Sequence, residues 1–498
     1  MKPILIFVLL GLAAFLRFFM LDEIPAGFYV DEASQGYNAY SLTQTGKDEY
    51  GKSFPLLLRA LGTYSSPLYA YLTALIIPFF GLSIFSARFI SAFSGFAVVL
   101  ITFVLTYKYI GINNFAKSII ITFFLAISPW AIFLSRGVDE PNLGLVFLVS
   151  GFLLLLISLK RIWIFPISTF SLALSTYGYN PEKITSTLFL LGFLLFFRKE
   201  FLKNRRILAL GLIIYFLSQL PILLISQSSG ATIRLTGQSY FNQPNVIWEF
   251  FSQLTAYFSP RNLFFDPDPD LQRSIPSLSV FYFWMIVPLI VGFKEAFKSI
   301  RQPFFLGIFL LIAFGALPAA LTKDPFSNFR ALPYLWALTL IIGLGAWKCL
   351  TSSSGRMQIL VSLFLIIISF YSLYSSYFVL LNYERGQPWD LGLKILAKRL
   401  EDYNSSKVVV ENVRYSPPHI ILAFFMKFPP ERMQSLYGNR AKDYYNAVDF
   451  VRNYKLDNVD IRPIVWEKDI YIDQILVGDT LAISETQAKE HKLKLEFE

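Results

Sequence analysis

Along its first 380 or so positions the chain alternates long apolar runs with short polar punctuation. The runs cover roughly residues 3–21, 88–107, 118–134, 143–159, 162–176, 184–197, 207–225, 278–293, 303–321, 331–349 and 357–381. Most approach the ~20 residues a helix needs to cross a bilayer, so about eleven transmembrane helices are expected. One further run, "PLYAYLTALIIPFF" at 67–80, is bracketed by prolines and, at about 14 residues, is short for a crossing. The cations decide how to read it. If it does not cross, Lys2, Lys108, Lys117, Lys160, Arg161, the cluster "RKEFLKNRR", Lys294, Lys298, Arg301, Lys348 and Arg356 share one side. The positive-inside rule makes that side the cytoplasm. Counting 67–80 as a span would put most of those cations outside, so it is expected to lie in the interface or to re-enter. With the helix before it, it forms an interfacial pair in the first external loop.

This parity places 22–66, 135–142, 177–183, 226–277, 322–330 and everything after about 382 on the outer face. The opening "MKPILIFVLLGLAAFLRFFML" has a basic start and no small-residue cleavage site, and reads as a retained anchor helix. After 385 the pattern changes. "LGLKILAKRLEDYNSSKVVVENVR" predicts an amphipathic helix followed by a buried strand. "KLDNVDIRPI" and "DQILVGDTLAIS" predict further strands, and 441–454 another amphipathic helix. The expectation is an α-helical polytopic membrane protein over 1–384 with a small outer α/β domain over 385–498.

Composition agrees. Of 498 residues 55% are hydrophobic, 51 are Phe and only 16% are charged, against roughly 25% in a soluble domain. The net charge of +10 does not point to nucleic acid, because the basic residues sit in the short loops where they orient the spans. The single cysteine, Cys349, cannot form an internal disulfide.

The outer loops hold most of the acids. "GFYVDEASQGYNAY" places Asp31 where an N-cap belongs, ahead of a helix running to about Thr45 and stopping at Gly46. One cap needs one acid, yet Glu32 stands beside it. Asp48 and Glu49 read as solvated turn residues. "SRGVDEPNLG" offers Arg136, Asp139 and Glu140, with Asp139 suited to capping and Pro141 to the first helical turn. "LSTYGYNPEKI" brings Tyr177, Tyr179, Glu182 and Lys183. The long fourth loop adds Arg234 and then Arg261, Asp266, Asp268 and Arg273; "LTKDPFSNFRALPYLW" ends at Arg330. Interfacial tyrosines need no purpose beyond the aromatic belt, and a lone arginine at headgroup depth can simply hold lipid phosphate. Several arginines converging with carboxylates on one face call for chemistry.

No nucleotide-sugar pool exists outside the cell, so a transferase on that face needs a donor delivered through the membrane. A sugar on a long isoprenoid phosphate fits: the tail stays in lipid, the phosphate lies at the headgroups, and the sugar projects outward. Transfer then needs a carboxylate to take the acceptor hydroxyl's proton and cations to steady the departing phosphate. Asp31 is the candidate base, and Arg261 and Arg330 are candidate phosphate holders. A transporter or lipid flippase is the rival. It would show related halves or broken helices at mid-depth, whereas no halves resemble each other here and the charges gather at one face.

The stretches "VDEASQGYNAYSLTQTGKDEYGKSFPLLL", "SSPLYAYLTALIIPFFGLSIFSARFISAFSG", "AISPWAIFLSRGVDEPNLGLVF", "LSTYGYNPEKI", "YFSPRNLFF" and "FRALPYLW" occur in this order over roughly residues 1–345. Together they resemble the GT-C class of polyprenyl-phosphate-dependent glycosyltransferases, which includes protein mannosyltransferases and the aminoarabinose transferases of lipid A. The resemblance implies a GT-C membrane fold and inverting transfer of one sugar to a hydroxyl on protein, glycolipid or surface polysaccharide. It implies that Asp31 matches the essential first-loop acid, Glu140 a second acid after the third span, and Arg330 a basic position before a late span. Many relatives carry Lys-Pro-Pro-Leu ahead of the interfacial helix. Here Ser65-Ser66-Pro67-Leu68 stands instead, which passes the lysine's role near the lipid phosphate to Arg59, Arg261 or Lys183. Glu32, Arg136, Tyr177, Tyr179 and Arg234 are supporting candidates. The only histidines, His419 and His491, are in the tail, so a histidine-bound metal in the membrane site is not expected, while a divalent cation held by carboxylates stays open. A "WWDYG"-type signature is absent, which argues against en bloc glycan transfer to asparagine.

Overall fold

The computed structural model describes residues 2–497 apart from 112–113, 242, 325, 353–354, 414–416, 439–442 and 448–452, and apart from the side chains of 234 and 235. Helices occupy all eleven expected runs. In chain order the first elements are α1 (Lys2–Phe18), α2 (Val30–Thr45), β1 (Leu58–Ala60), β2 (Thr63–Ser65), α3 (Leu68–Phe80), α4 (Ile84–Tyr109), α5 (Phe115–Ile127), α6 (Pro129–Phe133), α7 (Glu140–Ser158), α8 (Phe165–Gly178) and α9 (Glu182–Phe196). Helices Arg205–Ile225, Ile286–Lys298, Pro303–Gly315, Leu332–Ser352 and Arg356–Leu373 follow, joined by shorter ones.

Among the described residues six helices are long and apolar enough to cross a membrane unaided: Ile84–Tyr109, Glu140–Ser158, Arg205–Ile225, Pro303–Ala320, Leu332–Ser352 and Arg356–Glu384. The other expected spans are helical but shorter or interrupted. Pro129 breaks the 118–134 run into α5 and α6, and 3₁₀ turns at Ile162–Ile164 and Phe283–Met285 precede two others.

Local sequence explains the main boundaries. Ser83 and Ser86 form a reciprocal capping box at the start of α4. Gly46 closes α2 at φ +68°, a conformation glycine adopts without strain. α7 lies along α8, and a Cβ on Gly178 would come within 2.8 Å of the Gly144 nitrogen, so only a residue without a side chain allows this approach. Inside the bundle, indole N–H groups find hydroxyls: Trp336 donates to Thr102 (2.9 Å) and Trp130 to Thr339 (3.2 Å).

The connections expected to share one face do meet. The Val138 N–H donates to Glu32, Asn328 N–H to Asp268, Gln272 to the Pro388 carbonyl and Lys394 to the Ala26 carbonyl. At the opposite end Lys2 lies over the Phe115 ring and Tyr109 stacks on Phe304.

In the tail, β3 (Val408–Val410), β4 (Tyr454–Leu456), β5 (Val459–Ile461) and β6 (Ile475–Val477) form one sheet in the order β4-β5-β3-β6. β3 is parallel to β5 and β6, and β4–β5 is an antiparallel hairpin. The helix Leu391–Leu400 matches the expected amphipathic one. Half of the helix expected over 441–454 falls outside the described residues; in the other half 443–446 form a turn and Tyr454 opens β4, so no helix is found there. Two tail helices, Pro418–Phe425 and Pro430–Tyr437, and the β1–β2 hairpin lie where no element was expected. The tail helix Pro418–Phe425 packs on α2, and Phe28, Tyr37, Phe424 and Tyr437 share one apolar core, so the first loop and the tail are buried against each other.

Candidate active site

The two acids of the first loop part company at once. α2 begins at Val30, with Tyr29 as the N-cap, so Asp31 stands in the first helical turn and not at the cap expected for it. Both acids there interact favourably with the helix dipole. Successive helical positions point about 100° apart. Asp31 is exposed and Glu32 is fully buried. Glu32 accepts two bonds from Arg88, from Nε (2.9 Å) and Nη2 (2.8 Å), and a third from the Val138 N–H (2.9 Å). Arg88 donates further to the carbonyls of Leu21, Pro25 and Gly27. Glu32 therefore locks the first loop to α4 and to the loop before α7. In the sequence Arg88 stands at the head of an apolar run, with no acid near it to mark a partner.

Arg136 has a similar task. Buried, it donates to the carbonyls of Leu16, Phe19, Met20 and Ile24 and to the Tyr377 hydroxyl, tying the end of α1 to the last membrane helix.

Asp31 itself makes no hydrogen bond or ion pair within bonding distance through its carboxylate among the described residues. One turn on, at the i+4 position that shares its helical face, Gln35 donates to Glu140 and to Ser65 (3.1 Å). This brings the two predicted acids to one place. Between them in chain order lies Asp139, the N-cap of α7, whose side chain makes no capping bond. Burial first, then the neighbouring Glu32, push its carboxyl up to about 8, against the opposing pull of Arg273 and Arg88.

Arg273 lies within electrostatic reach of Asp139 and Asp31. It feels Tyr29, Tyr179 and Asp31, pairs with Asp270 (3.0 Å), and stacks on Phe329 with 3.8 Å from its guanidinium carbon to the ring centroid. Arg330 lies over the same ring at 5.2 Å and is held by Thr322 (2.8 Å) and Asp324. Tyr179 packs against Phe329 from α8's end. Beside Arg273, a narrow cavity is lined by Asp268, Ser274, Asn328, Trp130 and Phe133. Arg273 appeared in the fourth loop only as one charge among several, and nothing local to "DLQRS" marks it out.

The remaining candidates are placed as follows. Lys183 donates to Asn180 (2.8 Å) at the start of α9, and Tyr177 donates to the Ser218 carbonyl. Arg261 is four-fifths exposed and engaged with Asp266. The Arg234 side chain lies outside the described residues. Arg59, on β1, is fully buried over the Tyr50 ring (4.5 Å), and its backbone N–H donates to the Tyr444 hydroxyl (2.7 Å). It belongs to a polar cluster between the first loop and the tail. Asp48 and Glu49 belong there too, and they are not the solvated turn residues expected. Both are buried: Asp48 accepts from the Tyr444 hydroxyl and from two backbone N–H groups, and Glu49 accepts from Asn38. Burial raises Asp48 to about 6 and, with help from Asp48, Glu49 to about 8.

Among the described residues no three of His, Cys, Asp and Glu are grouped so as to hold a metal ion.

No protein-family model matches the chain, and no curated protein matches it in sequence. Solved structures do match in three dimensions. ArnT from Cupriavidus metallidurans bound to undecaprenyl phosphate superposes with a TM-score of 0.50 at 14% identity, over 88% of this chain and 78% of ArnT. ArnT in the apo state gives 0.54 at 12% identity, over 85% and 84%. The Archaeoglobus fulgidus oligosaccharyltransferase in complex with Zn and sulfate gives 0.50 at 13% identity, over 84% of this chain and 61% of the archaeal one. At these identities the likeness is one of fold, and the fold of this chain is that of the GT-C membrane glycosyltransferases.

Proposed function

We propose that the chain is a membrane glycosyltransferase that moves one sugar from a polyprenyl-phosphate-linked donor to a hydroxyl acceptor, with Asp31 as general base. The observation that carries this is the exposed Asp31 carboxylate, free of bonded partners among the described residues, on a helix start fixed by the buried Glu32–Arg88 pair and within electrostatic reach of Arg273. ArnT's complex with undecaprenyl phosphate, in the same fold, supports a lipid phosphate as the donor's handle.

Asp31 takes the acceptor hydroxyl's proton while the oxygen attacks the anomeric carbon. The bond from that carbon to the phosphate oxygen breaks with its electron pair, leaving polyprenyl phosphate, and the configuration inverts. The phosphate gains charge as it departs, which the guanidinium groups of Arg273 and Arg330 stabilise most where water is excluded. Their stacking on one Phe329 ring fixes them as a pair. Glu140, held by Gln35 beside the base, orients the reacting hydroxyls. Lys183, at the start of α9, is a further candidate to hold the phosphate. The positive-inside pattern puts the site and the tail, residues 385–498, on the extracytoplasmic face. The acceptor is a hydroxyl of protein, glycolipid or surface polysaccharide.

The direct test follows release of polyprenyl phosphate from a labelled lipid-linked sugar in membranes. Turnover abolished by Asp31→Asn with folding intact is the expected result; unchanged turnover would sink the proposal. Labelling of cysteines placed at 31 and 330 by a membrane-impermeant reagent should occur from the same, outer side.

A further inference from the structure

Arg273 and Arg330 come from different external loops, yet both lie over the Phe329 ring. Two buried polar side chains join the loops. In "FDPDPDLQRS" prolines stand at 267 and 269 and offer no N–H. Asp268 between them is buried and accepts two backbone N–H groups, from Asp270 (3.0 Å) in its own loop and from Asn328 (2.8 Å) in the other. Asn328 opens the 3₁₀ turn Asn328–Arg330. It is buried as well, and its side chain returns the contact: Nδ2 donates to the Arg273 carbonyl (3.0 Å).

These bonds fix the backbone on both sides of the arginine pair. On one side the Arg273 N–H donates to the Asp270 carbonyl (2.9 Å) and its guanidinium pairs with the Asp270 carboxylate (3.0 Å). On the other, three consecutive residues divide the work. Asn328 grips the Arg273 backbone, Phe329 supplies the ring, and Arg330 is the second cation. The Ser327 N–H, donating to the Tyr257 hydroxyl (3.0 Å), anchors the turn from behind. Asn328 Oδ1 and Ser274 Oγ line the narrow cavity beside Arg273, which at about 10 Å³ is the space of one water molecule. Among the described residues the Arg273 carbonyl is the only hydrogen-bond partner of the Asn328 side chain. The Asp268 bond uses the backbone N–H of 328, which any residue but proline supplies; the bond to Arg273 needs the amide.

We propose that Asn328 is a positioning residue for Arg273: its side-chain amide holds the Arg273 backbone where both guanidinium groups share one ring and can meet one phosphate. This rests on the proposed role of the two arginines as holders of the donor phosphate. The ion pair with Asp270 lies within the Arg273 loop and would travel with it, so it cannot by itself keep Arg273 beside Arg330. The Asn328 bond removes that freedom. Cations stabilise a departing phosphate best when they are set in place beforehand, and a displacement of the order of 1 Å can cost about a hundredfold in rate.

The test measures binding of radiolabelled undecaprenyl phosphate to the purified full-length chain in detergent, for Asn328→Ala, Arg273→Gln and the double variant. Arg273→Gln should bind at least about tenfold more weakly, as loss of a charged hydrogen-bond donor implies. Asn328→Ala should weaken binding about three- to tenfold on its own. Added to Arg273→Gln it should cost less than about twofold more, because a residue that acts through another is not additive with it. Asn328→Leu, which fills the space the amide leaves, should repeat the result where the alanine variant folds poorly. A purely structural role would lower the melting temperature and weaken binding by the same factor in both backgrounds, and that result overturns the inference. So does undiminished affinity in a folded Asn328 variant. If Arg273→Gln binds as tightly as the unaltered chain, the phosphate role of Arg273 fails and the inference falls with it. If Arg273→Gln is weakened and Asn328→Ala is not, only the positioning role fails.

Discussion

Glu32 and Arg88 form a fully buried, two-bonded ion pair, with 2.9 Å from Nε to Oε1 and 2.8 Å from Nη2 to Oε2, one residue away from an acid that is exposed. Neighbouring carboxylates in one helical turn thus have opposite duties. Glu32 is spent on the fold, and Asp31 stays exposed, as the proposed base must.

Removing either partner of that pair leaves a buried charge alone, which typically costs about 3–5 kcal/mol. Arg88→Met and Glu32→Leu made singly should therefore fold poorly, with a large drop in melting temperature in detergent. Asp31→Asn, exposed and unbonded, should change stability by less than about 0.5 kcal/mol. Thermal unfolding of the three variants side by side checks the contrast.

The loss of a general base is expected to lower kcat by about 10²- to 10⁴-fold. Asp31→Asn should show that loss in the polyprenyl-phosphate release assay. Gln35→Leu removes the bond that holds Glu140 beside it and should give a smaller fall, read as kcat at saturating donor.

Arg273 and Arg261 discriminate between tertiary and local reasoning. Removing a cation that stabilises a leaving phosphate costs about 10²–10³ in kcat. Arg273→Gln should show it. Arg261→Gln should stay within about twofold, because its guanidinium is exposed and already engaged by Asp266, and exposed pairs contribute little. Initial rates for both variants decide.

The cluster under the tail should make stability depend on pH. Glu49 is raised from 4.5 to about 8 and Asp48 from 3.8 to about 6, mainly by burial. The folded chain therefore holds protons that the unfolded chain has released, and this contribution to stability falls as pH rises through about 4 to 8. One such proton gives a slope of about 1.4 kcal/mol per pH unit at its steepest. Glu49→Gln should flatten the decline, as measured by denaturation midpoints across that range.

Much of the architecture was legible in one dimension. Helices fill every apolar run because length and hydropathy are local properties, and a helix satisfies its own backbone wherever it lies. The charge parity that kept 67–80 out of the spans agrees with a short α3 packed on α2, and the loops it grouped together do touch. Asp31 could be singled out because an acid at the lip of an apolar run is costly enough to need a reason. What only the tertiary structure decided is partnership. Glu32 reads like Asp31 until Arg88 is found against it. Arg59 reads as a candidate phosphate holder and Asp48 as a solvated turn residue until the tail covers them, and Arg273 reads as one more cation until Phe329 is found against it. Each pairing joins segments far apart in sequence. Whether a charge is spent on the fold or kept for chemistry depends on burial and on the group opposite, and neither is written in its immediate neighbours.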